Sequence, residues 1–396
     1  MRIKTIMTAC LAVPALSVLC LLSSCSSEEL PTTEKPSTGP QTLTLNLKPA
    51  GTRAAAYTDP GTAAENTINS VTIGIFGIDN KVKTIQEQTT TSTSPTINTS
   101  QLIVGDQVLV AVNAKSGTFN GALTVSDFEN KTLAIDDALA GGNGSATTVA
   151  NTKLPMFGTG SIVQGGSATA FTAAVDVYHM VSKITLQSLY VDFDATGAYM
   201  SAKFTPTEVF MYNVSDKLDF YPASSYTYPS VSTLYNGEAG KASVKDYLGT
   251  GTTLTPFSPT NPILSGLKTG TTYSWGAVGT KILFLYTMPS NSASPTQLVI
   301  KGTFDPDGTN DPLKISTVYY PVNINYNSAD GSAADISGGG KDGTPKQVYP
   351  NKNYIVDVTI KGKGASSPSA SLDPQTATAN ITVKSFVDAS QSNTFN

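Results

Sequence analysis

Arginine is nearly missing from this chain. Of 25 basic residues in 396, only Arg2 and Arg53 are arginines, so nothing in residues 54–396 can be cut by a protease specific for arginine. Cysteine stops at Cys10, Cys20 and Cys25. The body after them therefore has no disulfide and no thiol chemistry, and packing alone must hold it. The single histidine, His179, has no second histidine and no body cysteine with which to share a metal. Charged residues make up 14%, against roughly 25% in ordinary soluble domains. The net charge is −4 and there is no basic block, which argues against nucleic acid as a partner. Motifs for chemistry fail on inspection. Gly340-Lys341 is followed by Asp342 rather than Ser or Thr, so it is no phosphate loop. In "FDPDGTNDP" (304–312) Gly308 is fourth counting Asp305 as first, not sixth, which points to a hairpin turn rather than a calcium loop. The expectation is a non-enzyme without cofactor or metal.

What is present begins with export. Arg2 and Lys4 precede the short apolar run "IMTACLAVPALSVLCLL", so residues 1–24 read as a signal peptide. The run ends in "LSSC", which resembles the lipobox of bacterial lipoproteins and would make Cys25 the lipidated first residue of an outer-membrane-anchored precursor. Ordinary cleavage with Cys25 an incidental thiol is the alternative. Residues 26–40 are polar and proline-containing, a tether. Then "QTLTLNLK" alternates, with Leu43, Leu45 and Leu47 on one face, as in a half-buried strand. It stops at Pro49 and Gly51, and Arg53-Ala54 follows.

Beyond Ala54 the alternation continues: Val71, Ile73 and Ile75 in one stretch, Val108, Val110 and Val112 in another. Asn120-Gly121, Asn143-Gly144 and Asn236-Gly237 read as tight turns. Only "KTLAIDDALAGG" has a helical look. Short strands rich in Thr, Ser, Gly and Tyr predict an all-β fold of β-sandwiches. Composition and pattern place a first sandwich at 54–177 and a second at 178–396, the latter ending in a strand-like segment, 377–396. There Ala377, Ala379, Ile381 and Val383 recur at period two, followed by Phe386 and Val387.

The lipobox, the isolated Arg53 and the stretches "VLVAVNAKSG", "KTLAIDDALA", "YYPVNIN" and "VYPNKNYIVDVTIKGKG", with the ending "ANITVKSFVDASQSNTFN", resemble the FimA-type fimbrillins, major shaft subunits of type V pili in Bacteroidales. Relatives often carry a tryptophan near the C-terminus where this chain has Phe386. The resemblance implies two transthyretin-like Greek-key sandwiches and a structural, adhesive role in surface fimbriae. It also implies a route. An arginine-specific surface protease cuts between Arg53 and Ala54, the strand bearing Leu43, Leu45 and Leu47 departs, and residues 377–396 of another copy enter the groove, near Val71. Implied partners are further copies of the chain, anchor and tip pilins, the protease, the outer membrane through the precursor's lipid, and host or bacterial surface receptors. Two alternatives stay open: a tip or accessory pilin, and a monomeric glycan-binding surface lipoprotein using Trp275 and tyrosines. Lysine-biased codon usage is the plain explanation for the missing arginines.

Overall fold

The computed structural model describes residues 39–49, 62–193, 196–251, 271–274, 283–326, 335–336, 340–341, 344–370 and 377–385. Cys25, Arg53, Ala54, Trp275, Phe386 and Val387 lie outside the described residues.

Nine strands come from the first half: β1 (Gln41–Pro49), β2 (Ser70–Phe76), β3 (Val82–Thr89), β4 (Thr96–Thr99), β5 (Gln107–Val112), β6 (Thr132–Ala134), β7 (Met156–Ser161), β8 (Val163–Gln164) and β9 (Ala170–His179). One layer is β4-β1-β9, with β8 also on β9, and a second is β3-β2-β5-β7. Strand β9 belongs to both, because its last two residues cross over to pair with β7, Met156 opposite His179 and Phe157 opposite Tyr178. Between the layers lies an aliphatic core. Leu43, Leu45, Leu47, Ile97, Phe171 and Val175 come from one side, and Val71, Ile73, Ile75, Val108, Val110 and Val112 from the other. This is two-layer sandwich packing, with alternate residues of each strand turned inward.

Strands β2 and β5, in the middle of the second layer, are buried on both faces, which their one-sided alternation did not predict. Thr72, Gly74 and Phe76 are as enclosed as Val71, Ile73 and Ile75. The cause is an aromatic layer behind it. Phe119 stacks on Phe128 with centroids 3.9 Å apart, and Phe76 meets Phe128 edge-on at 5.9 Å. Phe128 belongs to α2 (Val125–Glu129), whose N-cap Thr124 and Asp127 form a reciprocal capping box.

Sheet membership changes between His179 and Ser182. From there run β10 (Ser182–Val191), β11 (Lys203–Tyr212), β12 (Val214–Ser215), β13 (Lys217–Asp219), β14 (Leu234–Tyr235), β15 (Thr271–Ser274), β16 (Leu283–Thr287), β17 (Gln297–Asp305), β18 (Ser316–Asn323), β19 (Asp335–Ile336), β20 (Gly340–Lys341), β21 (Lys352–Ile360) and β22 (Ala377–Ser385). One sheet is β15-β10-β21-β22-β19-β20, with β16 on β10, and another is β11-β17-β18. The aromatic core continues from Phe76 and Phe128 through Phe220 to Tyr354, Val356 and Ile381 without a break at residue 178.

Two local expectations need correction. "KTLAIDDALA" is a strand before it is a helix: β6 pairs with β13, Leu133 opposite Leu218, and only Ile135–Leu139 (α3) is helical. Asn236-Gly237 is not a turn. Asn236 forms a parallel bridge to Val244, and the chain turns beyond it at Gly240, whose φ is +77°. Gly237 is needed for another reason, since a Cβ there would run into the backbone of Leu248. "FDPDGTNDP" is the hairpin link expected of it. The Asp305 carboxylate accepts from the amides of Gly308 (3.0 Å) and Asn310 (2.8 Å), closing the turn between β17 and β18.

Candidate functional site

The strand bearing Leu43, Leu45 and Leu47 is a filled slot. Strand β1 runs parallel to β9 from Thr42 opposite Ala170 to Pro49 opposite Val177. On its other side it runs antiparallel to β4, from Gln41 opposite Thr99 to Thr44 opposite Thr96. Leu43 and Leu45 have no exposed surface and Leu47 keeps 4%. Beyond the paired residues of β4, the amides of Leu45 and Leu47 donate to the carbonyls of Pro95 (3.0 Å) and Thr93 (2.8 Å). Taking β1 away would uncover three leucines, each worth about 1.5–3 kcal/mol of burial. It would also leave two rows of backbone groups unpaired. The walls of the slot are β9 and β4, which corrects the expectation of a groove near Val71. Strand β2 is paired on both sides, to β3 and β5, and faces β1 only across the aliphatic core.

The outward face of β1 is tied down too. Thr42 Oγ1 donates to Asn98 Oδ1 (3.3 Å), the hydroxyls of Thr44 and Thr96 lie 3.3 Å apart, and Ser94 Oγ donates to Asn46 Oδ1 (3.5 Å). Gln41 does more. Its side chain is buried, Nε2 donates to the Leu102 carbonyl (3.2 Å), and Oε1 accepts from the Leu102 amide (2.6 Å). Reading the sequence for apolar alternation passed over Gln41, because a polar residue that opens a strand looks solvated.

The C-terminal strand sits elsewhere. Strand β22 is antiparallel to β21 along its whole length, with Ala377 opposite Ile360, Ala379 opposite Val358, Ile381 opposite Val356 and Val383 opposite Tyr354. On the far side, among the described residues, it pairs with Asp335 and Ile336 of β19. Ala377 and Ile381 are buried in the chain's own core. In the single chain the described part of the segment expected to act as a donor, 377–385, is therefore docked at home.

Buried charge serves to join elements. Lys183 of β10 places Nζ 3.0 Å from Glu65 Oε1 and 4.1 Å from the centre of the Phe284 ring, and Tyr286 donates its hydroxyl to the same Glu65 oxygen. Burial pushes Glu65 up to about 7 and Lys183 down to about 7. Glu65 closes α1 (Thr62–Glu65), so this cluster fastens the chain just after residues 50–61 to β10 and β16. Lys301 sits between Glu208 (3.1 Å) and Glu238 (2.8 Å), and Tyr319 donates to Glu238 (2.8 Å), which pins the 236–249 loop to β17. His179 is fully buried with Nε2 3.1 Å from Asn66 Oδ1, and desolvation pushes it down to about 3, a neutral structural imidazole. Among the described residues no group of three His, Cys, Asp or Glu is placed to hold a metal. No helix there is long and apolar enough to cross a membrane.

Several solved structures share this fold over most of the chain. A fimbrilin from Porphyromonas gingivalis superposes with a TM-score of 0.59 at 14% identity, covering 88% of this chain and 98% of that one. A protein from Bacteroides eggerthii assigned to cell adhesion gives 0.57 at 19% identity, covering 88% and 98%. Another from Parabacteroides distasonis gives 0.59 at 13%, covering 89% and 98%. At these identities the likeness establishes the fold: mostly β-sheet sandwiches with few short helices, as in solved Bacteroidales fimbrillins. No family model and no curated protein matches the chain.

Proposed function

We propose that this chain is a pilus subunit that polymerises by strand exchange and builds adhesive fimbriae on the cell surface. It is exported as a precursor lipidated at Cys25 and held in the outer membrane. An arginine-specific protease cuts between Arg53 and Ala54, β1 leaves, and the C-terminal strand of another copy fills the place between β9 and β4. The body then divides in function at the β9–β10 junction, 54–177 accepting a strand and 178–396 providing one. Its partners are further copies of itself and the pilins that anchor or cap the filament. Receptors on host or neighbouring bacterial cells are met by the assembled fimbria.

The observation that carries this reading is the position of β1. It is the first strand among the described residues, its leucines fill a core made otherwise of later residues, and the only arginine after residue 2 follows it by four residues. One cut frees a whole structural strand and no other. The joint is heterologous, head to tail, so it propagates rather than closing. The strand that enters regains backbone pairing as well as apolar contact.

The test is to treat folded precursor with an arginine-specific protease. The expected result is one product beginning at Ala54, with filaments visible by electron microscopy. Arg53→Ala precursor should stay intact and monomeric. Filaments whose subunits still begin at Cys25 would overturn the processing step. A cut product that never polymerises would overturn the exchange.

A further inference from the structure

The displaced strand and the C-terminal strand carry nearly the same sequence. Residues 40–47 read PQTLTLNL and residues 374–381 read PQTATANI. Five of the eight positions are identical (Pro, Gln, Thr, Thr and Asn), and the other three are apolar in both copies. Alternation alone does not require this, because a half-buried strand needs only apolar and polar residues in turn. It does not require an amide side chain first, nor asparagine at the same outward position.

The identities fall on the residues that hold β1 to the β4 side of its slot. Gln41 bonds both backbone groups of Leu102; Thr42 reaches Asn98; Thr44 lies beside Thr96; Asn46 accepts from Ser94. Each has its like in Gln375, Thr376, Thr378 and Asn380. The substituted positions are those that face the core: Leu43, Leu45 and Leu47 become Ala377, Ala379 and Ile381. Once β1 departs, the amide and carbonyl of Leu102 lose their partner, and a buried backbone group left unpaired is costly. A second glutamine at the matching place restores both bonds.

We infer that residues 374–381 of one copy enter the slot of the next in the register of residues 40–47, parallel to β9, with Gln375 on Leu102 and Thr378 opposite Thr96. This rests on the strand-exchange reading and adds its direction and register. Two leucines are replaced by alanines, so the incoming strand fills the slot less completely than β1 does. An uncut precursor therefore keeps its own strand, and polymerisation waits for proteolysis.

Because a shift of two residues preserves which face is apolar, the competing registers are those displaced by two, about 6.6 Å along the strand. Thr96→Cys is combined in turn with Thr376→Cys, Thr378→Cys and Asn380→Cys. Each full-length precursor is cut with the protease, allowed to polymerise and oxidised. Since the natural chain has no cysteine after Cys25, a ladder of multimers on a non-reducing gel reports the chosen pair. The Thr378 pair should give a ladder several-fold stronger than either neighbour, and none before cleavage. A strongest ladder from Thr376 or Asn380 would overturn the register while leaving strand exchange standing. Filaments with no ladder from any pair would show that β4 is not the wall the donor meets. A cut, folded wild-type chain that makes no filaments removes the exchange itself and this register with it.

Discussion

Strands β1 and β22 have the same length, nine residues, and the same period, yet they are held differently. Strand β1 has a neighbour on each side and three leucines sealed in a core built otherwise from residues 68–177. Strand β22 has one long neighbour, β21, a two-residue contact on its other side, and Ala377 and Ile381 in the core. Removing β22 gives up the long ladder to β21 and the short one to β19, with the burial of Ala377 and Ile381, whereas removing β1 gives up two ladders and the middle of a sandwich. Among the described residues, β22 is thus the less enclosed of the two, which suits the proposed exchange, and β1, paired on both sides, suits retention until the proposed cut. The difference fits the parts that the proposed strand exchange gives them, β22 as donor and β1 as placeholder.

The sharpest break of this comparison is deletion. Removing residues 41–49 should leave a chain that aggregates or fails to unfold cooperatively, because three fully buried leucines go at once, each costing about 2–5 kcal/mol when truncated. Against a whole stability of roughly 5–15 kcal/mol, that is decisive. Removing residues 377–396 should leave a folded chain with a lowered melting temperature, since Ile381 leaves a core. Equal losses in the two deletions, read by calorimetry, would erase the distinction. Ile381 is buried in the uncut monomer, so Ile381→Asp should melt early as well as fail to polymerise.

Next in size are two locks. The facing Thr44 and Thr96 replaced by cysteines should tie β1 to β4, since their hydroxyls already lie 3.3 Å apart. Thr359→Cys with Thr378→Cys, which are opposed across β21 and β22, should hold the donor at home. Both oxidised proteins should be cut after Arg53 yet remain monomeric, and reductant should restore filaments. If the second lock leaves assembly unchanged, the donor lies beyond residue 378.

The smallest effect concerns the wall rather than either strand. His179 ends β9, where that strand leaves the slot for β7. Its imidazole is pushed down to about 3 by burial, so the folded chain binds fewer protons there than the unfolded chain between that value and the ordinary 6.5. Its contribution to stability is complete above pH 6.5 and is lost as pH falls toward 3. Glu65, pushed up to about 7, acts in the opposite sense between 4.5 and 7, so the comparison must be made between variants. His179→Gln should flatten the fall in stability between pH 6.5 and 4, measured by urea unfolding. The sole imidazole, followed by NMR, should stay neutral across that range.

How much of this was legible in the sequence depends on the range of the interaction. Leu43, Leu45 and Leu47 announced a strand and its inner face, because period two is a local property. They did not announce β9, more than 120 residues downstream, because parallel pairing leaves no mark on either strand alone. The double burial of β2 was hidden for a similar reason: Thr72 and Gly74 read as solvent-facing until Phe119 and Phe128 cover them. The hairpin at Asp305 was visible because aspartate binding nearby amides is short-range. Gln41 is legible only beside Gln375, and then only to a reader comparing the two ends of the chain.

The alignment of the slot has a mechanical consequence. Strand β1 runs lengthwise between β9 and β4, and an occupant of the same slot in the same direction would do so too. A fibre stretched by flow would pull each such occupant along its own axis, at right angles to the hydrogen bonds that hold it. Every rung on both sides then shares the load in shear. An edge strand pulled sideways opens like a zipper, one rung at a time. Threading a strand between two walls would thus give the proposed joint a resistance to tension far beyond what its modest contact area suggests, with no covalent bond between one subunit and the next.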